Sequence, residues 1–150
     1  MHHGQKTYLA LIALLAVFAP TAEAKTAHIF YPSQLNVDPQ SHDGKTLVVK
    51  GYLRLAPELH VLVETRAIDH SLSKLYESGI YNKDDDKYCL TIMNPGVLLR
   101  PGHDHWRLTE HTLTLKGRYV ANYMDGTVVG LGACDNAPGF EIQKIIKIEK

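Results

Sequence analysis

The chain is poor in the residues on which most enzyme signatures rest. It has two cysteines, Cys89 and Cys134, and one tryptophan, Trp106, in 150 residues. Cysteines this far apart make no C-x-x-C metal or redox pair. No G-x-S-x-G elbow surrounds Ser71, Ser73 or Ser78, so a serine nucleophile lacks its usual sharp turn. Asp84, Asp85 and Asp86 are consecutive, without the alternating ligands of a calcium loop, and read as a solvated turn. An excess of one charge sign is also missing, with 16 Lys and Arg against 16 Asp and Glu. A neutral chain has no general attraction to phosphate backbones or anionic lipid. That balance disfavours nucleic acid as a partner and leaves any binding to a local patch. No motif calls for a cofactor, and none is expected.

Long apolar runs are confined to the beginning. Met1–Thr7 carries Lys6, Tyr8–Ala19 is apolar, and the stretch ends in Ala22-Glu23-Ala24. These are the three regions of a secretory signal peptide, and the apolar run is too short for a retained spanning helix. Cleavage is expected near Ala24-Lys25, leaving residues 25–150 as a single domain, periplasmic or secreted, with no transmembrane segment. An even cysteine count in an exported chain favours a Cys89–Cys134 disulfide.

The stretch Thr46–Ala56, TLVVKGYLRLA, shows strict alternation. Leu47, Val49, Gly51, Leu53 and Leu55 share one face; Val48, Lys50, Tyr52 and Arg54 share the other. This is a long half-buried strand with a glycine at its inward centre, a mark of bending or close backbone approach. Leu59–Arg66 returns after Pro57-Glu58 as a hairpin, with Leu59, Val61 and Val63 alternating against His60, Leu62 and Glu64. Ile68, Leu72, Leu75 and Tyr76 predict a short amphipathic helix over 67–78, ended by Gly79.

Tyr88–Met93 and His111–Tyr123 predict two further strands, and Phe140–Ile148 a last one whose alternation slips between Ile145 and Ile146, as at a bulge. TLVVKGYLRL and TLTLKGRYVA align without gaps, so Gly51 and Gly117 are expected to do the same work in two strands. Lys25–Phe30 reads as a loose arm, and Ser33 as the cap of a short helix before Asp38-Pro39. The expectation is an all-β domain with one or two short helices, built as a five-stranded OB-like Greek-key barrel. An open antiparallel sandwich is the alternative.

Leu35–Leu53 holds Asp38-Pro39, Asp43-Gly44-Lys45, Val49 and Gly51-Tyr52-Leu53. It resembles the start of small exported bacterial OB-like domains, in which a D/N-P-x-x-x-D-G-K segment leads into a V-x-G-Y-L strand. The resemblance implies an OB-like barrel and supplies no activity and no catalytic residues.

Two groups of residues could bind. Lys50, Tyr52 and Arg54 on the first strand and Lys116 and Arg118 on the fourth form a basic and aromatic stripe if the strands pair, the kind of face OB barrels use for extended ligands. Trp106 joins them as an aromatic anchor candidate. His103 and His105, flanking Asp104 and with Glu110 and His111 nearby, could share a metal ion that a carboxylate or third imidazole completes, although the spacing matches no standard zinc pattern. Three functions follow. The first is a non-catalytic exported binding module for a protein or an oligosaccharide. The second is an envelope inhibitor or immunity-type protein that blocks a protein partner. The third is a metal-binding protein using the His103/His105 loop.

Overall fold

A computed structural model of the chain describes residues 27–56, 59–80, 82–98, 108–123, 134 and 137–150. The expected signal peptide and the His103–Trp106 loop lie outside these residues. The described chain is mostly β-sheet with a few short helices. In order it forms β1 (Ile29–Phe30), α1 (Pro32–Asn36), α2 (Pro39–His42), β2 (Thr46–Ala56), β3 (Leu59–Val63) and α3 (Arg66–Glu77). A 3-10 turn (Lys83–Tyr88), β4 (Cys89–Ile92), a second 3-10 turn (Pro95–Leu98), β5 (Thr112–Val120) and β6 (Gly139–Glu149) follow. No described helix is long and apolar enough to cross a membrane.

The sheet has six strands rather than five. The added one lies in the segment read as a loose arm: Ile29 and Phe30 pair in parallel with Val48 and Val49 of β2. Two residues are too few for alternation to show. The other five strands follow a circular set of pairings. β2 pairs antiparallel with β3, β3 with β4, β6 with β5, and β5 with β2, while β4 and β6 run parallel. The length of β2 allows this, because Thr46–Tyr52 lies along β5 and Tyr52–Ala56 along β3.

Side chains on the inner face form one cluster: Val49, Leu53, Leu62, Leu90, Leu113, Leu115, Tyr119 and Phe140 are all fully buried. The alternation in β2 and β5 is as the sequence predicts. β3 is different. Leu53 stands opposite Leu62, so Leu62 points inward, and Val61 and Val63 point outward. They remain buried because Ile68 and Leu72 of α3 pack over them, together with Cys89, Cys134 and Ala137. The predicted disulfide is formed, with Cα atoms 5.9 Å apart.

Gly51 and Gly117 are both inward and in close contact. A Cβ on Gly51 would lie 2.6 Å from Leu62 Cγ, and one on Gly117 would strike the Glu141 carbonyl and the Phe140 ring. β6 has register shifts opposite Thr114/Leu115 and Lys116/Gly117, the first of which skips Ile146 where the alternation slips.

Two asparagines complete the frame. Asn36 Nδ2 donates to the carbonyls of Lys87 (3.0 Å) and Cys89 (2.8 Å), and its Oδ1 accepts from the Tyr119 hydroxyl at 2.9 Å. Asn94 donates to Ile142 O and accepts from Ile142 N, continuing the β4–β6 pairing through a side chain. Ser33 is not the cap of α1: Tyr31 holds that position, and the Ser33 amide donates to Glu64 Oε2 instead.

Candidate functional site

The register of β2 on β3 puts Tyr52 beside Val63 and Arg54 beside Val61 on the outer face. Helix α3 crosses that face. It starts at Thr65, whose hydroxyl accepts from the Ile68 amide at 3.2 Å, and it buries Ile68 and Leu72. The same rotation buries Asp69, only 8% exposed, against Arg54, and Arg54 Nη1 donates to Asp69 Oδ2 at 2.6 Å. A carboxylate lowered into a helix–sheet interface needs such a partner, because losing its hydration without one is costly.

The turn Leu108–His111 forms the opposite wall. Its backbone extends the β2 edge: the Glu110 amide donates to Leu53 O at 2.8 Å, and the Leu53 amide to His111 O at 2.9 Å. Thr109 Oγ1 accepts from the Leu55 amide at 3.0 Å. Glu110 takes a left-handed backbone, φ 63°, the only non-glycine described residue to do so. Asparagine or glycine would adopt it at less cost.

Between α3 and this turn lies an open cleft of about 600 Å³, lined by Tyr52, Arg54, Arg66, Asp69, His70 and Glu110, with Ala67 at its rim. Tyr52 is its floor, 4% exposed. Burial pushes the Tyr52 hydroxyl up from the usual phenol range, and Glu110 and Asp69 add to this against the opposing Arg66 and Arg54. The hydroxyl therefore stays protonated near neutral pH and offers a hydrogen-bond donor. The lining holds two arginines and two carboxylates, whose four charges cancel.

The basic stripe is divided. β2 and β5 do pair, but Lys116 and Arg118 stand opposite Val48 and Thr46, at the far end of β2 from Tyr52 and Arg54. Most of its cations have carboxylate partners. Lys50 meets Glu149 at 2.7 Å, Arg118 meets Glu141 at 2.9 Å, and Arg54 meets Asp69; Lys116 is exposed. Tyr52, expected in solvent, is instead covered, because α3 lies on its face. Among the predicted residues the cleft gathers Tyr52 and Arg54 only.

His103, His105 and Trp106 lie outside the described residues. His111 keeps its ring Nδ1 3.0 Å from the Thr109 carbonyl. Among the described residues, no group of three or more His, Cys, Asp or Glu could hold a metal ion.

No family model, curated protein or solved structure matches this chain. Arg66, Asp69 and His70 carry no signal of a site in the sequence motifs, and Glu110 stands out there only as a carboxylate near the His103–His105 loop. Helical spacing offered one signal for Asp69: it lies between Ile68 and Leu72, and so close to the apolar stripe of the predicted helix. Glu110 and Arg66 carry no such mark, since their place in the cleft depends on the docking of α3.

Proposed function

We propose that this protein is a non-catalytic exported binding module of OB type, which holds a protein or an oligosaccharide at the α3 cleft. The cleft, a buried tyrosine floor walled by charges of both signs, is the observation that carries the reading. Aromatic floors with a few convergent polar groups are the usual makeup of binding sites.

The circular pairing of β2 to β6, with its single parallel β4–β6 contact, supports a five-stranded Greek-key barrel of OB type to which β1 is added. Such barrels commonly bind on the face of their second and third strands. The corresponding strands are β3 and β4, and their outer face lies beneath α3 and the disulfide. Binding is therefore assigned to the rim of α3, where β2 remains accessible. Asp69 is engaged by Arg54 and Tyr52 is held protonated, so the cleft offers hydrogen bonds and charge rather than a nucleophile. The disulfide is compatible with an oxidising compartment, periplasmic or extracellular, reached through the signal-like first 24 residues.

Immobilised oxidised protein, exposed to envelope proteins and to envelope oligosaccharides, tests the reading. Wild type should retain a component that Arg66→Glu and Tyr52→Phe release, with circular dichroism unchanged in both variants. Equal retention by wild type and both variants would remove the cleft as the binding site.

A further inference from the structure

Tyr52, Glu110 and Arg66 all line the cleft and have polar groups without a partner among the described residues. Tyr52 is 4% exposed, and its hydroxyl keeps access to solvent at the cleft, with no hydrogen-bond partner among the described residues. A hydroxyl placed this way can donate to a ligand. Glu110 stands at φ 63° in the same cleft and makes no ion pair with a described residue. Its side chain gives nothing to the turn that a glycine or asparagine would not allow more cheaply. Arg66, at the start of α3, also has no carboxylate partner among the described residues, whereas Arg54 and Asp69 neutralise each other. The cleft thus presents one uncommitted cation, one uncommitted anion, and a hydroxyl donor over an aromatic floor.

We infer that the cleft binds a zwitterionic ligand, an amino acid or a short peptide, with its ammonium on Glu110 and its carboxylate on Arg66, while the Tyr52 hydroxyl donates to a ligand oxygen. The inference rests on the binding reading above and narrows its ligand class. The positive end of the α3 dipole lies on the Arg66 side and favours the carboxylate there. The cancelling charges of the lining fit a ligand that is neutral overall and dipolar, and they disfavour an anionic glycan.

Calorimetry with alanine, alanylalanine, N-acetyl-alanylalanine, alanylalanine amide and maltose tests this on the oxidised protein. Alanine or alanylalanine should bind, and the stronger of the two tells a free amino acid from a peptide. Blocking either end should weaken binding about tenfold or more. Glu110→Gln should lose the discrimination against the acetylated peptide, and Arg66→Gln the discrimination against the amide. Tyr52→Phe should weaken both parent ligands, and Lys144→Gln, on β6, should change nothing. Binding indifferent to blocked ends, maltose binding as well as the dipeptide, or no binding of either zwitterion would overturn the inference. If these probes fail while retention of an envelope component still depends on Arg66, only the ligand class falls. If that retention is also insensitive, the binding reading falls with it.

Discussion

Placing a single methyl group on Gly117 should damage this fold more than its size suggests. In most unstrained positions Gly→Ala stabilises by about 0.4–1 kcal/mol, because the unfolded chain loses freedom. Gly96 is such a position, with nothing within 4 Å of a Cβ built there. At Gly117 the added Cβ would lie 2.7 Å from one Phe140 ring carbon and 2.8 Å from another, and against the Glu141 carbonyl. The carbonyl is backbone in the adjacent strand, and Phe140 is fully buried among core side chains, so neither can move aside freely. Overpacking of this kind costs about 1–3 kcal/mol. Gly117→Ala is expected near 2 kcal/mol destabilising and Gly117→Val at or above 3 kcal/mol. Gly96→Ala should be neutral or stabilising by a few tenths. Urea unfolding followed by far-ultraviolet circular dichroism separates them, since the midpoint shifts while the slope is preserved. Equal midpoints for Gly117→Ala and Gly96→Ala would refute the argument that strand closure depends on the inward glycine.

Three further outcomes are expected. Asn36→Ala should cost about 2–3 kcal/mol in the same assay, because it leaves the buried Tyr119 hydroxyl and two carbonyls without partners; Tyr119→Phe should cost less. Reduction of Cys89–Cys134, which closes a loop of sequence separation 45, should lower stability by about 2–4 kcal/mol, with thiol labelling of the unreduced, denatured protein finding no reactive cysteine. Hydrogen bonds from Lys147 and then Lys50 hold the Glu149 carboxyl at about 2, below the ordinary 4.5. The folded value is the lower one, so Glu149 stabilises above pH 4.5 and loses this contribution as pH falls towards 2. Glu149→Gln should therefore be less stable than wild type at pH 7, with the gap narrowing steadily below pH 4.5 and smallest at pH 2, by thermal unfolding.

The frame of the fold was legible wherever one face of an element is buried and the other is not. β2 and β5 announced themselves by alternation, α3 by its apolar spacing and by Gly79, which ends it at φ 72°, and β6 by the slip at Ile146. The echo between TLVVKGYLRL and TLTLKGRYVA was meaningful, since each glycine admits the close approach of a neighbour: Leu62 in one case, Phe140 in the other. β3 was harder, because both its faces are apolar and alternation cannot say which one points inward. The site was barely legible. Arg54 and Asp69 meet only because α3 folds back on its own hairpin, and the same docking turns Tyr52 from an exposed ring into a covered floor.

The disulfide and the parallel β4–β6 contact join the same two parts of the chain. Cys89 opens β4 and Cys134 shortly precedes β6, while Thr91 and Ile92 pair with Gly139 and Phe140. In a reduced chain this pairing must close a loop of more than forty residues; once the cysteines are joined, only a few residues remain to be ordered. Scaling with the logarithm of loop length makes the difference about 2 kcal/mol. Oxidation thus acts on the order of assembly. The β2–β3 hairpin can form alone by local search, but the final parallel pairing is slow until the crosslink brings its partners together, so the chain should complete its sheet faster after oxidation than before.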